Sequence, residues 1–90
     1  MRTLDELRVE IDRIDQQMVQ LFEERMQVVA EVMAVKKAAG IPILDSSREE
    51  AVVEKNTARL TDPELAGYYE RLIRQMMALS REYQASLMER

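Results

Sequence analysis

Apolar residues recur at alternating steps of three and four along the first part of the chain. They are Leu4, Leu7, Ile11, Ile14, Met18, Leu21, Val28, Val32 and Val35. This spacing is typical of one face of an α-helix. No glycine or proline interrupts it before Gly40, and Pro42 follows two residues later. Because glycine suits a left-handed cap and proline prevents the helix from resuming, the pattern predicts one long helix ending at Ala39.

Two more helices are predicted after a short loop. Ser47 with Glu50 three residues later matches a capping box, which indicates a helix start. Asp62 followed by Pro63 matches an N-cap with proline at the first helical position. No segment alternates as a strand does. The chain is therefore predicted to be all-α, with a long, a short and a long helix over about residues 4–39, 48–60 and 63–88.

The length of the first helix predicts a dimer. A helix over residues 4–39 rises ~54 Å, whereas a compact domain of this size has a radius of gyration of only ~12 Å. Two shorter helices cannot cover so long an apolar stripe, so we expect two copies of the first helix to lie antiparallel in an intertwined helical bundle. A parallel coiled coil is the alternative. It leaves unexplained a second apolar face on the third helix, formed by Leu65, Tyr69, Leu72, Met76, Leu79 and Tyr83.

Polar residues interrupt these apolar faces at several positions. Arg25 stands where the pattern requires an apolar residue between Leu21 and Val28. The other interruptions of the first helix are Arg8, Asp15 and Lys36, those of the third helix are Ser80 and Gln84, and Asp45, Arg48 and Glu49 lie around the start of the second. A buried cation without a partner is costly, so Arg25 needs a carboxylate from the protein or from a ligand.

Structural explanations exist for each polar residue taken alone. One polar residue on a helix interface often sets register and oligomeric state. Arg8 and Lys36 lie near the edge of the stripe, where long side chains reach water. Arg25 could also pair with Asp15 of a partner helix. The alternative is a ligand site, and it explains why cations, a glutamine and a serine all turn inward.

Spacing along the first helix limits how such a site is built. Arg25 and Lys36 share a face and lie ~16 Å apart, whereas Arg8 is ~26 Å from Arg25. One chain therefore cannot bring all three to one small molecule. An antiparallel dimer can place Arg8 of one chain beside Arg25 and Lys36 of the other, which predicts two composite sites for a small ligand with several negative charges. Arginine suits carboxylates because its planar group binds them through two hydrogen bonds.

Composition excludes several other kinds of site. The 90 residues are 47% apolar and 33% charged, which is typical of one small globular domain. Cysteine and histidine are absent, so disulfides, thiolate nucleophiles and Cys/His metal sites are excluded. The net charge of -4 argues against a nucleic-acid partner. No apolar run reaches the length of a membrane span and the N-terminus is unlike a signal peptide, so we expect no membrane partner and a cytoplasmic location.

The polar residues lie in segments that resemble a known family. "LDELRVEIDRID", "EERMQVVAEV", "AVKKAAG", "ILDSSREE" and "SREYQ" are similar, in order and over nearly the whole chain, to the all-helical chorismate mutases. The resemblance implies a single chorismate mutase domain over residues 1–90 that forms an intertwined homodimer. It also implies an isomerase that converts chorismate to prephenate in aromatic amino-acid biosynthesis, on the shikimate route.

Site roles are implied by position within the resemblance. Arg8 of the neighbouring subunit and Arg25 match the arginines that each bind a substrate carboxylate. Lys36 matches a lysine that contacts a carboxylate and the ether oxygen of the breaking bond. Gln84 matches the glutamine that donates to the same ether oxygen, and Glu49 matches the acceptor for the ring hydroxyl.

The remaining matches are supporting groups, and the implied reaction suits this composition. Asp45 falls near the ring hydroxyl, and Arg48 and Ser80 match polar groups near the carboxylates. A [3,3] rearrangement moves electrons within one molecule and requires no nucleophile, metal or cofactor, so we expect none. Two alternatives stay open. One is an isochorismate-pyruvate lyase, which resembles these mutases, and the other is a non-catalytic helical dimer or regulatory module.

Overall fold

The computed structural model describes residues 1–90, which form three α-helices and no strand. Helix α1 spans Leu4–Ala39, α2 spans Ser46–Thr57 and α3 spans Ala66–Met88. A single 3-10 turn, Pro63–Leu65, leads into α3. The predicted all-α chain of long, short and long helices is confirmed.

Helix α1 has well-formed caps at both ends. The Thr3 side chain accepts a hydrogen bond from the Glu6 backbone N–H, and the Glu6 carboxylate accepts one from the Thr3 backbone in return, which completes a capping box. At the other end Gly40 has φ 69°, the left-handed conformation that glycine adopts without a side-chain clash. The 36-residue helix sets the 56 Å longest dimension of the chain. No helix is both long and apolar enough to cross a membrane.

Helix α2 begins earlier than the capping-box pattern predicts. Its N-cap is Asp45, whose carboxylate accepts from the backbone N–H of Arg48 at 3.0 Å. Ser47, the predicted cap, instead lies within the first turn and donates its hydroxyl to the same carboxylate at 2.9 Å. The prediction of Ser47 as the cap is wrong because the path of the loop brings the Asp45 carboxylate, and not the Ser47 hydroxyl, to the first N–H groups of α2. The negative charge of Asp45 also interacts favourably with the helix dipole.

The second helix also ends earlier than predicted, and the third begins as a tighter turn. After Thr57 the chain runs to Leu60 through hydrogen bonds between residues three apart, so this segment is not α-helical. Asp62 is the N-cap and Pro63 follows it at the first helical position, as the sequence predicts. The first turn is 3-10 because the Leu65 N–H bonds to the Asp62 carbonyl.

Helix α3 packs against both other helices and carries most of the core. Six side chains are buried, namely Met33 of α1, Val53 of α2, and Ile73, Met77, Ser80 and Gln84 of α3. Successive buried positions of α3 lie three or four residues apart, so they form one face of the helix. Two of the six are polar, and both belong to the set of candidate site residues.

Much of the apolar stripe of α1 is uncovered in the single chain. Each of Leu4, Leu7, Ile11, Ile14, Met18, Leu21, Val28, Val32 and Val35 keeps between 38% and 66% of its surface exposed. Leu65, Leu72 and Leu79 of α3 are also exposed. Together with Met18, Leu21 and Phe22, residues Leu72 and Leu79 line an apolar groove between α1 and α3. Exposed apolar side chains that adjoin one another in this way are typical of a protein–protein contact surface.

Candidate active site

A polar cavity of about 180 Å³ lies where the three helices meet. Its lining comes from the C-terminal half of α1, the loop after it, the first turns of α2 and the C-terminal half of α3. The lining residues are Arg25, Val29, Lys36, Ile43, Asp45, Arg48, Glu49, Val52, Met77, Ser80, Arg81 and Gln84. Four cations and two acidic groups give this lining a net formal charge of +2. The cavity therefore suits an anion.

Arg25 is held in the cavity wall by a buried serine. Its Nη1 donates to the Ser80 Oγ at 2.6 Å, across the interface between α1 and α3. The Ser80 hydroxyl donates its own proton to the Met76 carbonyl, one turn earlier in α3, at 2.9 Å. Because that proton is engaged, the serine oxygen presents lone pairs to the arginine. One nitrogen of the guanidinium is thus fixed, and its other N–H groups are free to bind a ligand.

Gln84 is buried beside Arg25 and faces α1. Its Nε2 donates to the Val29 carbonyl at 3.2 Å, and only 7% of the residue is exposed. A side-chain amide carries two N–H groups and one carbonyl oxygen. The contact with Val29 uses one N–H, which leaves a second donor on the same nitrogen for a ligand in the cavity.

The loop after α1 folds back over Lys36. Gly40 reverses the chain, and the Ile41 N–H then bonds to the Lys36 carbonyl at 2.8 Å. Two residues further on, the Ile43 carbonyl accepts from the Lys36 Nζ, also at 2.8 Å. The ammonium group has three N–H donors, so two remain after this contact. The helix cap therefore fixes both the loop and the direction in which Lys36 points.

Asp45 joins the loop to α2 at the edge of the cavity. The backbone N–H of Arg48 and then the Ser47 hydroxyl donate to its carboxylate, and these hydrogen bonds lower the pKa of Asp45 below its ordinary value of 3.8. Asp45 and Arg48 are both exposed, so the cavity reaches the surface at the N-terminus of α2.

Glu49 faces the cavity from the first turn of α2 and contacts Arg81 of α3. The Arg81 Nη1 lies 2.5 Å from each of the two carboxylate oxygens of Glu49. Both side chains are partly buried, with 35% of Arg81 and 23% of Glu49 exposed. This ion pair connects α2 to α3 across the cavity wall.

Seven of the eight residues predicted from the sequence line this cavity: Arg25, Lys36, Asp45, Arg48, Glu49, Ser80 and Gln84. The exception is Arg8, near the start of α1. Its side chain is 67% exposed and lies 4.0 Å from Asp5 in the same helix. The single chain does not bring Arg8 to the cavity, as its distance along the helix predicts.

Sequence reasoning missed Arg81 as a cavity residue. A signal was present, because Arg81 lies four residues after the buried Met77 and three before Gln84, a spacing that places it beside the buried face of α3. Its ion pair with Glu49 joins residues 32 positions apart, and no local pattern in the sequence indicates that contact.

The fold and the cavity together define the class of protein. It is an all-α protein with a polar cavity between its helices that suits an anionic ligand. The model of a protein family described as "Chorismate mutase type II" matches residues 7–85 of the chain. Since this match covers more than half of its residues, the chain belongs to the chorismate mutase type II family.

Similar proteins carry related names. The chain is 38% identical over 77 residues to the T-protein of Haemophilus influenzae, covering 86% of this chain and 20% of that protein. It is 40% identical over 55 residues to a bifunctional chorismate mutase/prephenate dehydratase of Aquifex aeolicus, covering 61% and 15%. A chorismate mutase of Methanocaldococcus jannaschii is 36% identical over 52 residues, covering 58% and 52%. The chain thus spans about half or less of the length of each relative.

Proposed function

We propose that this protein converts chorismate to prephenate by a [3,3] rearrangement, with the cytoplasm as its compartment. The observation that carries the proposal is the convergence of Arg25, Lys36 and Gln84 from two helices on one cavity. Chorismate has two carboxylates, and the lining carries a net formal charge of +2. Membership of the chorismate mutase type II family supports the same substrate.

The reaction is an isomerisation within one molecule. The ether C–O bond breaks while a C–C bond forms between the enolpyruvyl group and the ring, and no atom enters or leaves. The protein must hold the substrate with the enolpyruvyl group folded over the ring. Holding the two reacting carbons in this orientation lowers the entropic part of the activation barrier. In our proposal Arg25 binds one carboxylate, Arg8 of a second chain binds the other, and Arg48 and Ser80 support these contacts.

Charge separates in the transition state, and two donors are proposed to stabilise it. Negative charge grows on the ether oxygen as the C–O bond breaks. Lys36 and Gln84 each retain an N–H donor that no protein group uses. Donors aimed at developing charge stabilise the transition state more than the substrate, which is the condition for a higher rate. Glu49 accepts from the ring hydroxyl, with Asp45 beside it.

A homodimer completes the proposed site. The uncovered apolar stripe of α1 supports antiparallel packing of two copies, and such packing brings Arg8 of one chain to the cavity of the other. Arg8→Ala and Lys36→Ala chains should each be inactive alone. After subunit exchange, each mixed dimer should regain one intact cavity, because one site receives both substitutions and the other receives none. Exchange without recovered activity would contradict a composite site.

A direct assay tests the proposed function. Purified protein is mixed with chorismate, and prephenate is measured against a sample without protein. Isochorismate serves as the second substrate, with pyruvate release as its readout. We expect prephenate from chorismate and little pyruvate from isochorismate. If the protein does not convert chorismate to prephenate, the proposed function is contradicted. An unchanged melting temperature would show in addition that chorismate does not bind, because a ligand that binds the folded state must stabilise it.

A further inference from the structure

Arg81 has no part in the roles described so far, although it lines the cavity. It follows Ser80 in α3, and its guanidinium contacts Glu49, which is in the first turn of α2. One nitrogen of Arg81 lies within hydrogen-bond distance of both carboxylate oxygens of Glu49. A contact with both oxygens restricts rotation of the carboxylate about its own bond. Arg81 therefore fixes the direction in which Glu49 presents its free lone pairs.

The charge of Glu49 is a second reason for a partner. A carboxylate in the wall of a cavity repels an anionic ligand, and this repulsion is strong where water is partly excluded. With Arg81 the lining holds four cations and two acidic groups. Without it the net formal charge falls from +2 to +1, and Glu49 faces the ligand without its neighbouring cation.

We propose that Arg81 is a positioning residue for Glu49. It orients the carboxylate toward the ring hydroxyl of chorismate and offsets a negative charge that would repel the two carboxylates of the substrate. This role rests on the proposed function. An ionised carboxylate has about four acceptor positions, so the contact with Arg81 leaves acceptors on Glu49 for a hydroxyl donor in the cavity.

The alternative is that the ion pair between Arg81 and Glu49 has only a structural role and connects α2 to α3. The chain contains a matched control for that role. Arg74 of α3 donates to Glu50 of α2 at 2.8 and 3.0 Å, and it also contacts Glu70 of its own helix. This pair joins the same two helices, but Arg74 does not line the polar cavity. Arg74→Ala therefore removes an α2–α3 ion pair and leaves the cavity unchanged.

Steady-state kinetics on Arg81→Gln, Arg81→Lys and Arg74→Ala separate the two roles. Repulsion between Glu49 and the substrate acts on the bound substrate and the transition state alike, so it changes KM more than kcat. We expect Arg81→Gln to raise KM for chorismate about tenfold, the usual order for coupled charges. Arg81→Lys keeps the positive charge, so its KM should stay within about threefold of the native value. Arg74→Ala should leave KM within about twofold.

A double-mutant cycle with Glu49→Gln tests whether Arg81 acts through Glu49. Without the negative charge at position 49, the loss of Arg81 should change KM by no more than about twofold. An unchanged KM in Arg81→Gln, or the same rise in the Glu49→Gln background, would overturn the role. Equal effects of Arg81→Gln and Arg74→Ala would show a structural contact only.

The outcome for the native protein separates this inference from the proposed function. If the native protein makes prephenate and Arg81→Gln keeps its KM, only the role of Arg81 is overturned. If the native protein makes no prephenate, the proposed function and the role of Arg81 are overturned together. Melting temperatures of all variants confirm that each is folded at the assay temperature.

Discussion

Replacing Gln84 by methionine tests the electrostatic part of the proposed mechanism. Methionine has a similar length and is apolar, so Gln84→Met fills the buried position while it removes both amide donors. The structure allows the cost in stability to be worked out. One hydrogen bond to the Val29 carbonyl is lost, and such a bond contributes a net ~0.5–1.5 kcal/mol.

The expected loss of activity is much larger than this cost in stability. A protein with ~5 kcal/mol of stability stays more than about 99% folded after losing ~1 kcal/mol. Removing one donor from an oxygen on which charge develops costs ~2.7–4 kcal/mol of transition-state stabilisation, or ~100- to 1,000-fold in kcat. Unfolding therefore cannot produce the predicted loss, and the two effects can be separated by measurement.

The assay follows the disappearance of chorismate absorbance at saturating substrate, with chemical denaturation run in parallel. Ile73→Val is the control, because Ile73 is equally buried in α3 and its truncation costs a similar ~0.5–1.5 kcal/mol without touching the polar cavity. We expect this control to keep kcat within about twofold. If Gln84→Met kept kcat within about threefold, donation to the ether oxygen would not be an important source of rate.

Other substitutions test the loop that carries Lys36 and the caps beside it. Lys36→Met should lower kcat at least ~100-fold with little change in denaturation midpoint, since the Lys36 side chain makes a single hydrogen bond, to the Ile43 carbonyl. Gly40→Ala should cost ~1 kcal/mol in denaturant unfolding because Gly40 has φ 69°, whereas Gly67→Ala, with no atom near the added Cβ, should be neutral or stabilising. Asp45 has a pKa lowered below 3.8, so the folded state binds fewer protons than the unfolded state near that pH. Its stabilising contribution is present above this pH and is lost as the pH falls through the lowered value. Melting temperatures from about pH 6 to pH 3 should therefore fall more steeply for the native protein than for Asp45→Asn, and parallel curves would contradict this assignment.

The site shows how far local patterns in the sequence reach. Seven cavity residues are predicted because each interrupts an apolar face or lies around the start of the second helix, and each matches a family motif. Arg81 is not predicted, because its place in the cavity wall depends on an ion pair with Glu49 in another helix. Ser47 and Asp45 show the same limit at closer range. Both residue types suit an N-cap, and only the path of the loop decided that Asp45 reaches the first N–H groups of α2.

The three helices and their inward faces can be predicted from the amino-acid sequence alone. Helix formation depends on neighbours three and four residues apart and on capping residues at the ends, and those relations are visible in a linear chain. Which polar groups meet depends instead on helix packing, since α3 packs against α1 and α2 and brings Ser80 to Arg25 and Arg81 to Glu49. Contacts between residues far apart in sequence depend on how whole helix faces fit together, and no short segment carries that information.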